Sequence, residues 1–268
     1  MKRALTLLAA LALGTLTTSS ASAGLSSRTD ATYHFEVRAM GSTVATASLR
    51  VSALKRRGPR LLRQVSLRAA TSGLGRAVYE SETRSTTWID GHWLPVSADW
   101  YYQTPKGERH LTAGFWRRGK AGGAKGVYKR KGLRDYATNF RLKQRPTDMV
   151  SVFALLPSMD LKPGQTFRMP LYDGWRVYDL RAEVGKPTPL LSATKKAKVS
   201  ALPVVMVATS GKIKRRVVYW LDAVTLEPLQ LSFSYGMLGS VEAVVVKVDK
   251  KQMRPLRLSR RATPPGKG

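Results

Sequence analysis

Residues 33–51 read YHFEVRAMGSTVATASLRV, and their alternation decides the fold. Tyr33, Phe35 and Val37 take turns with His34, Glu36 and Arg38, the two-residue period of a strand with one apolar and one polar face. Ala39-Met40-Gly41-Ser42 then supplies a turn before a second run over residues 44–51, so the stretch predicts a β-hairpin. The idiom continues outward. Residues 55–59, KRRGP, predict the next turn, and 61–69 a third strand with Leu61, Val65, Leu67 and Ala69 on one face. Residues 73–83 fit a short helix or a strand equally well. Further strands are predicted at 86–89, 92–102, 110–117 and 126–128, separated by glycine-containing turns. In the carboxyl half, 165–171 and 175–184 flank Asp173-Gly174, a dipeptide that tolerates the positive φ hairpins prefer. Residues 199–209, 213–221, 228–235 and 240–248 complete the series.

One segment breaks the pattern. Asp148 is placed to cap the run MVSVFALL at 149–156, which stops at Pro157. That helix is apolar nearly all round, so the rest of the protein must cover most of it. The predicted fold is mainly β: a strongly curved antiparallel sheet, a half-barrel, wrapped around one principal α-helix. Met149, Val152, Phe153 and Leu156 are the candidates for lining an apolar interior where a lipid-like ligand would sit. A ligand cavity and a filled core present the same apolar residues to a reader of the sequence.

At the amino terminus Lys2 and Arg3 precede an apolar run over 4–13, and the small-residue stretch ends in Ala21-Ser22-Ala23, the layout of an export signal. Residues 1–23 are therefore expected to be removed, leaving 24–249 as a single β-rich domain and 250–268 as a basic, disordered tail. The apolar run is too short to span a bilayer, so no transmembrane segment is expected after cleavage. With no cysteine there is no lipid-attachment thiol, disulfide framework or thiolate chemistry. A periplasmic or secreted location, in a Gram-negative bacterium, follows from this reading.

The chain carries 46 Lys and Arg against 17 Asp and Glu, a formal charge of +29. Such an excess favours anionic partners and opposes self-association. Export makes nucleic acid an unlikely partner and leaves lipid, lipopolysaccharide or another anionic envelope polymer, with peripheral membrane contact. Thirteen of the basic residues fall in 106–145 beside only Glu108 and Asp135. Arg117, Arg118, Lys120, Lys125, Lys129, Arg130 and Lys131 are the anion-binding candidates, set against the plainer role of a solvated face. Trp88, Trp93, Trp100 and Trp116, with Tyr101, Tyr102 and Phe115, suit sugar stacking or a membrane-interface belt, but equally strand packing.

Catalytic signals are missing. No Gly-x-Ser-x-Gly elbow is present, and His34, His92 and His110 lack the spacing of a metal site. Ser52-Ala53-Leu54-Lys55 matches Ser-x-x-Lys without its companion motifs. The stretch 119–126, GKAGGAKG, has no Ser or Thr after its lysines, and reads as a flexible hairpin end rather than a phosphate loop. We expect no catalytic residues, no metal and no cofactor.

Thr147-Asp148-Met149-Val150-Ser151-Val152-Phe153, followed by Leu161-Lys162-Pro163-Gly164-Gln165-Thr166-Phe167 and the Tyr172-Asp173-Gly174 turn, resembles the bacterial periplasmic family catalogued as domain of unknown function 3108. Tyr219-Trp220-Leu221-Asp222, Glu227-Pro228-Leu229 and Leu238-Gly239-Ser240-Val241 are similar to its closing strands, and residues 33–41 to its opening. The chain departs from the family in the long basic region 117–145, and in Leu156-Pro157 where Leu-Arg is usual. The resemblance implies a periplasmic protein of undetermined activity and supplies no catalytic residues. One helix cradled by a long antiparallel sheet is also loosely similar in architecture to the lipoprotein carriers of the Lol pathway. Three readings stay open: a non-enzymatic envelope protein that binds a lipid-like ligand or scaffolds envelope components, a binder of anionic polymer or lipopolysaccharide through basic segments, and an enzyme with an unrecognised site.

Overall fold

A computed structural model describes residues 29–119, 121–234 and 239–252. The expected signal segment 1–23, Lys120 and all of the expected tail beyond Gln252 lie outside the described residues.

The first half is a meander. It runs β1 (Thr29–Ala39), β2 (Ser42–Val51), the short β3 (Lys55–Arg57), β4 (Arg60–Thr71), helix α1 (Gly73–Val78), β5 (Glu82–Ile89), β6 (Pro95–Thr104), β7 (Gly107–Arg118), β8 (Ala121–Arg130) and β9 (Tyr136–Leu142). Helix α2 (Met149–Leu155) and a 3-10 turn at Leu156–Ser158 follow. The second half is β10 (Thr166–Tyr172), β11 (Val177–Val184), β12 (Thr188–Ser192), β13 (Ala197–Ser210), β14 (Ile213–Asp222), β15 (Pro228–Ser234) and β16 (Ser240–Gln252). Strands dominate and the helices are few and short.

All of these strands belong to one large open sheet. Its order is β10-β11-β13-β14-β15-β16-β1-β2-β4-β5-β6-β7-β8-β9, with β12 beside β13 and β3 beside β4. Every neighbouring pair is antiparallel. The two halves meet where β1 lies between β16 and β2, so the first described strand pairs with the last described one. The far edges are β9 and β10. β10 carries Pro170, which cannot donate to a ladder and is tolerated at an edge. On its free side Thr147 donates to the Pro170 carbonyl and accepts from the Tyr172 N–H, both at 2.8 Å.

The alternation of residues 33–37 points as expected, because Tyr33 and Phe35 are buried while His34 and Glu36 are not. Met40 and Gly41 both take positive φ in the turn between β1 and β2. β9 and β12 form where no strand was expected and β3 lies in the expected turn at 55–59, and three further details differ from the sequence reading. Residues 73–83 split into α1 and the start of β5. β8 spans ten residues where only 126–128 was expected, so the glycine-rich 119–126 is mostly ladder rather than a flexible end. β16 extends past Asp249, with Lys250 opposite Ala31 and Gln252 opposite Thr29, so the expected tail boundary at 250 falls inside a paired strand.

Two apolar clusters occupy the inward face. The larger joins residues of β1, β2, β4, β5, β11, β13, β14 and β16 with α2. The smaller gathers Trp100, Leu111, Phe115, Ala124 and Tyr128 of β6, β7 and β8 around Tyr172 of β10. Gly174, in the turn after β10, has φ +98°, and a Cβ there would lie 2.3 Å from a methyl of Leu111. Only glycine lets that turn sit against β7. Among the described residues no helix is long and apolar enough to cross a membrane.

Candidate functional site

The helix forms for the reason its sequence suggests. Asp148 Oδ1 accepts from the N–H groups of Val150 and Ser151 at 2.9 and 3.0 Å, filling two of the donors a helix start leaves open. Its Oδ2 accepts from the Ser151 hydroxyl at 2.8 Å, and Thr87 of β5 donates to Oδ1 at 3.4 Å. The carboxyl is completely buried, and burial raises its pKa above the ordinary 3.8 against the pull of these hydrogen bonds. Because the folded pKa lies above the unfolded one, the protonated acid is the form favoured by folding. Its contribution to stability is complete below about pH 3.8 and declines as pH rises through the raised value. Asp148→Asn keeps the cap but cannot titrate, so thermal unfolding of this variant should show a flatter pH dependence across that range. Identical slopes in both proteins would contradict the assignment.

The four interior candidates come together. Val152, Phe153 and Leu156 are buried in the larger cluster and Met149 packs half-buried against it. Phe153 meets Tyr219 of β14 edge-on at 5.3 Å between centroids, and the Tyr219 hydroxyl donates to the Phe153 carbonyl at 3.2 Å. Val152 and Leu156 are 1% and 0% exposed, held on all sides by protein atoms.

The six described basic candidates do not form one patch. β7 and β8 are antiparallel, so Arg117 and Arg118 stand beside Gly122 and Ala121 at one end of the pair. Lys129 and Arg130 stand beside His110 and Arg109 at the other end, followed by Lys131 in the next turn. Seven residues of strand, roughly 24 Å, separate Gly122 from Lys129. Lys125 lies between them, exposed. Lys120 is outside the described residues. Lys129 has Asp135 at 3.8 Å, and Arg130 donates to the Lys106 carbonyl at 3.2 Å.

The tryptophans are dispersed likewise. Trp100 is buried in the smaller cluster. Trp88 is half-buried under the guanidinium of Arg57 at 4.3 Å, and Trp116 is half-buried beside Gly123. Trp93 stacks on Arg63 at 4.1 Å. Arg63 is a feature the sequence reading missed: it shares the inward face of β4 with Val65 and is only 3% exposed. Burial lowers its pKa to about 10.

The other candidate chemistry is occupied structurally. His34 pairs with Asp249 at 2.9 Å and His110 with Asp99 at 2.8 Å, in both cases toward solvent. The Ser52 hydroxyl donates to the Ala53 carbonyl at 3.0 Å and accepts from the Gln64 N–H at 2.8 Å, so it serves the strand junction rather than Lys55. Among the described residues no three His, Asp or Glu side chains gather into a metal-holding group. A groove of about 320 Å³ lies on the outer face of β10, β11, β13 and β14, floored by Val205 and Val207 and flanked by Arg168, Arg181 and Lys214 with Asp179 and Glu183.

Residues 32–246 match the model of a family described as protein of unknown function, DUF3108. No curated protein matches the chain. Among solved structures, the β-barrel-like protein of domain of unknown function DUF1849 from Brucella abortus is similar with a TM-score of 0.56 at 13% identity. That alignment covers 83% of this chain and 98% of the other, and shows a shared fold. A DUF1089 family protein from Pseudomonas aeruginosa aligns with a TM-score of 0.33 at 14% identity, over 69% of this chain and 88% of its own.

Proposed function

The chain belongs to the DUF3108 family of proteins of unknown function, and from that premise we propose that it is a non-enzymatic, exported protein of the bacterial cell envelope that works through its surface. In this reading the sheet curves as a half-barrel around α2 and serves as a rigid scaffold. Support for the curvature comes from the reach of the helix. Phe153 touches β14 and Asp148 touches β5. Those strands are six steps apart in the sheet, roughly 29 Å if the sheet were flat, whereas a seven-residue helix is only about 10 Å long. Export rests on the charged, apolar and small-residue order of residues 2–23.

The observation that carries the reading is the closure of Val152 and Leu156. Side chains that line an open cavity expose surface to it, and these two expose almost none. The interior is accordingly core, and the envelope partner meets the outside. A fluorescent fatty-acid probe tests this. No saturable binding by the folded protein is expected; saturable binding that natural lipid displaces would overturn the scaffold reading in favour of a carrier.

A further inference from the structure

Antiparallel neighbours place successive hairpin turns at alternate rims of a sheet. One rim here collects the turn after β1, the α1 link between β4 and β5, and the turns β6–β7, β8–β9, β10–β11 and β13–β14. Both described chain ends, Thr29 and Gln252, pair with each other at the opposite rim. The first rim is therefore clear of them.

Ten large apolar side chains are exposed among the described residues, and seven of them lie on this one rim. They come from four separate turns. Met40 stands at the tip of the β1–β2 hairpin, 84% exposed. Helix α1 buries none of its residues. It is seated by Gly75, where a Cβ would lie 2.0 Å from the Val44 carbonyl. Leu74 and Val78, one turn apart on the helix, are 67% and 84% exposed. In the β8–β9 turn Leu133 is 61% exposed. In the β10–β11 turn Trp175 stacks on Tyr136 at 5.3 Å and lies 4.0 Å from Tyr128. Asp173 fixes that turn by accepting from the N–H groups of Trp175 and Arg176, each at 2.9 Å.

Cations are interleaved with these tips. Lys106, Lys131, Arg134, Arg176 and Lys212 belong to the same set of turns, and none has an acidic partner within 4 Å among the described residues. The acids within these turns are engaged, Glu80 with Arg76, Asp135 near Lys129 and Asp173 with backbone, while Glu108 and Glu242 stand exposed at the adjoining ends of β7 and β16. A protein partner of matching shape would call for a continuous apolar patch. Isolated apolar and aromatic tips set among lysines and arginines instead suit a headgroup layer, where rings and aliphatic tips enter the acyl boundary and cations meet lipid phosphates.

We propose that this rim docks the protein on the surface of an anionic phospholipid bilayer. The inference deepens the envelope-scaffold reading by naming the surface it engages, and it does not depend on whether the interior takes an acyl chain. The test is cosedimentation of the full chain with vesicles of phosphatidylglycerol and phosphatidylcholine, against vesicles of phosphatidylcholine alone. Leu74→Ser combined with Leu133→Ser and Trp175→Ser should weaken binding to the anionic vesicles about tenfold or more, by removing inserted apolar surface. Lys131→Glu with Arg134→Glu should weaken it as well, and added salt should screen it. Leu191→Ser with Val224→Ser, away from the rim, should leave binding unchanged. Leu74, Leu133, Lys131, Arg134, Leu191 and Val224 are exposed, so their substitution should move thermal unfolding little. Trp175→Ser also removes packing on Tyr128 and Tyr136, so Leu74→Ser with Leu133→Ser alone must weaken anionic-vesicle binding as well. Undiminished binding by both rim variants, equal binding to neutral vesicles, or a rim that mediates self-association without vesicle binding would each overturn the proposal. Fatty-acid probe binding would overturn the filled interior while leaving rim docking to stand or fall on the vesicle result.

Discussion

Phe153→Ala is expected to lower the free energy of unfolding by about 3–5 kcal/mol, the usual cost of emptying a buried phenylalanine site. The ring is 8% exposed, and it faces Tyr219 across the interior. The Tyr219 hydroxyl bonds the backbone carbonyl of Phe153, so that bond survives the substitution and the loss reports packing. Denaturant titration measures it. A loss below about 1 kcal/mol would mean that the helix end is peripheral to the core. Ser151→Ala should also be costly, by about 1–3 kcal/mol, because the hydroxyl is fully buried and its loss leaves the buried Asp148 carboxyl short of a partner.

Tyr172→Ala is expected to cost a similar amount, about 3–5 kcal/mol, and for a different architectural reason. Tyr172 lies on the edge strand β10, yet its ring approaches Trp100, Phe115 and Phe140 of β6, β7 and β9 at 6.3, 5.9 and 5.8 Å. It thereby ties one end of the open sheet to the other. The hydroxyl donates to the Gly174 carbonyl at 2.8 Å and accepts from Thr138 at 2.5 Å. Tyr172→Phe, which keeps the ring and leaves that carbonyl only the longer bond from Thr138 at 3.4 Å, should cost about 0.5–1.5 kcal/mol. If the alanine variant were as stable as the parent, the two sheet ends would have to be held together by something other than this residue.

What the sequence makes legible is local. The alternation at 33–37, the Asp148 cap and the Asp173-Gly174 turn each depend on neighbours within a few residues, and each appears in the structure as the residue pattern implies. What it hides depends on register between distant strands. The glycines of 119–126 look like flexibility, but a Cβ on Gly122 would meet the Arg145 backbone at 2.2 Å and one on Gly126 the Tyr172 hydroxyl at 2.3 Å. Nothing in the local sequence announces that another segment passes so close. Arg117 to Lys131 form one basic run in sequence and are divided between two rims because the chain reverses at Gly119. Arg63 is a charged residue in an inward position, which a binary apolar and polar pattern cannot anticipate. Conversely, Met40, Leu74, Leu133 and Trp175 are unremarkable singly in sequence, and only the strand order assembles them.

The scaffold with a docking rim and the carrier with a lipid interior differ in which backbone amides a membrane would shield. Amide hydrogen exchange of the full chain, with and without anionic vesicles, reads that directly. Protection should appear in the turns at 130–136 and 173–176 and in the α1 link, with 148–156 unchanged. Protection or loosening confined to 148–156, with the rim turns exchanging as they do in solution, would contradict the account.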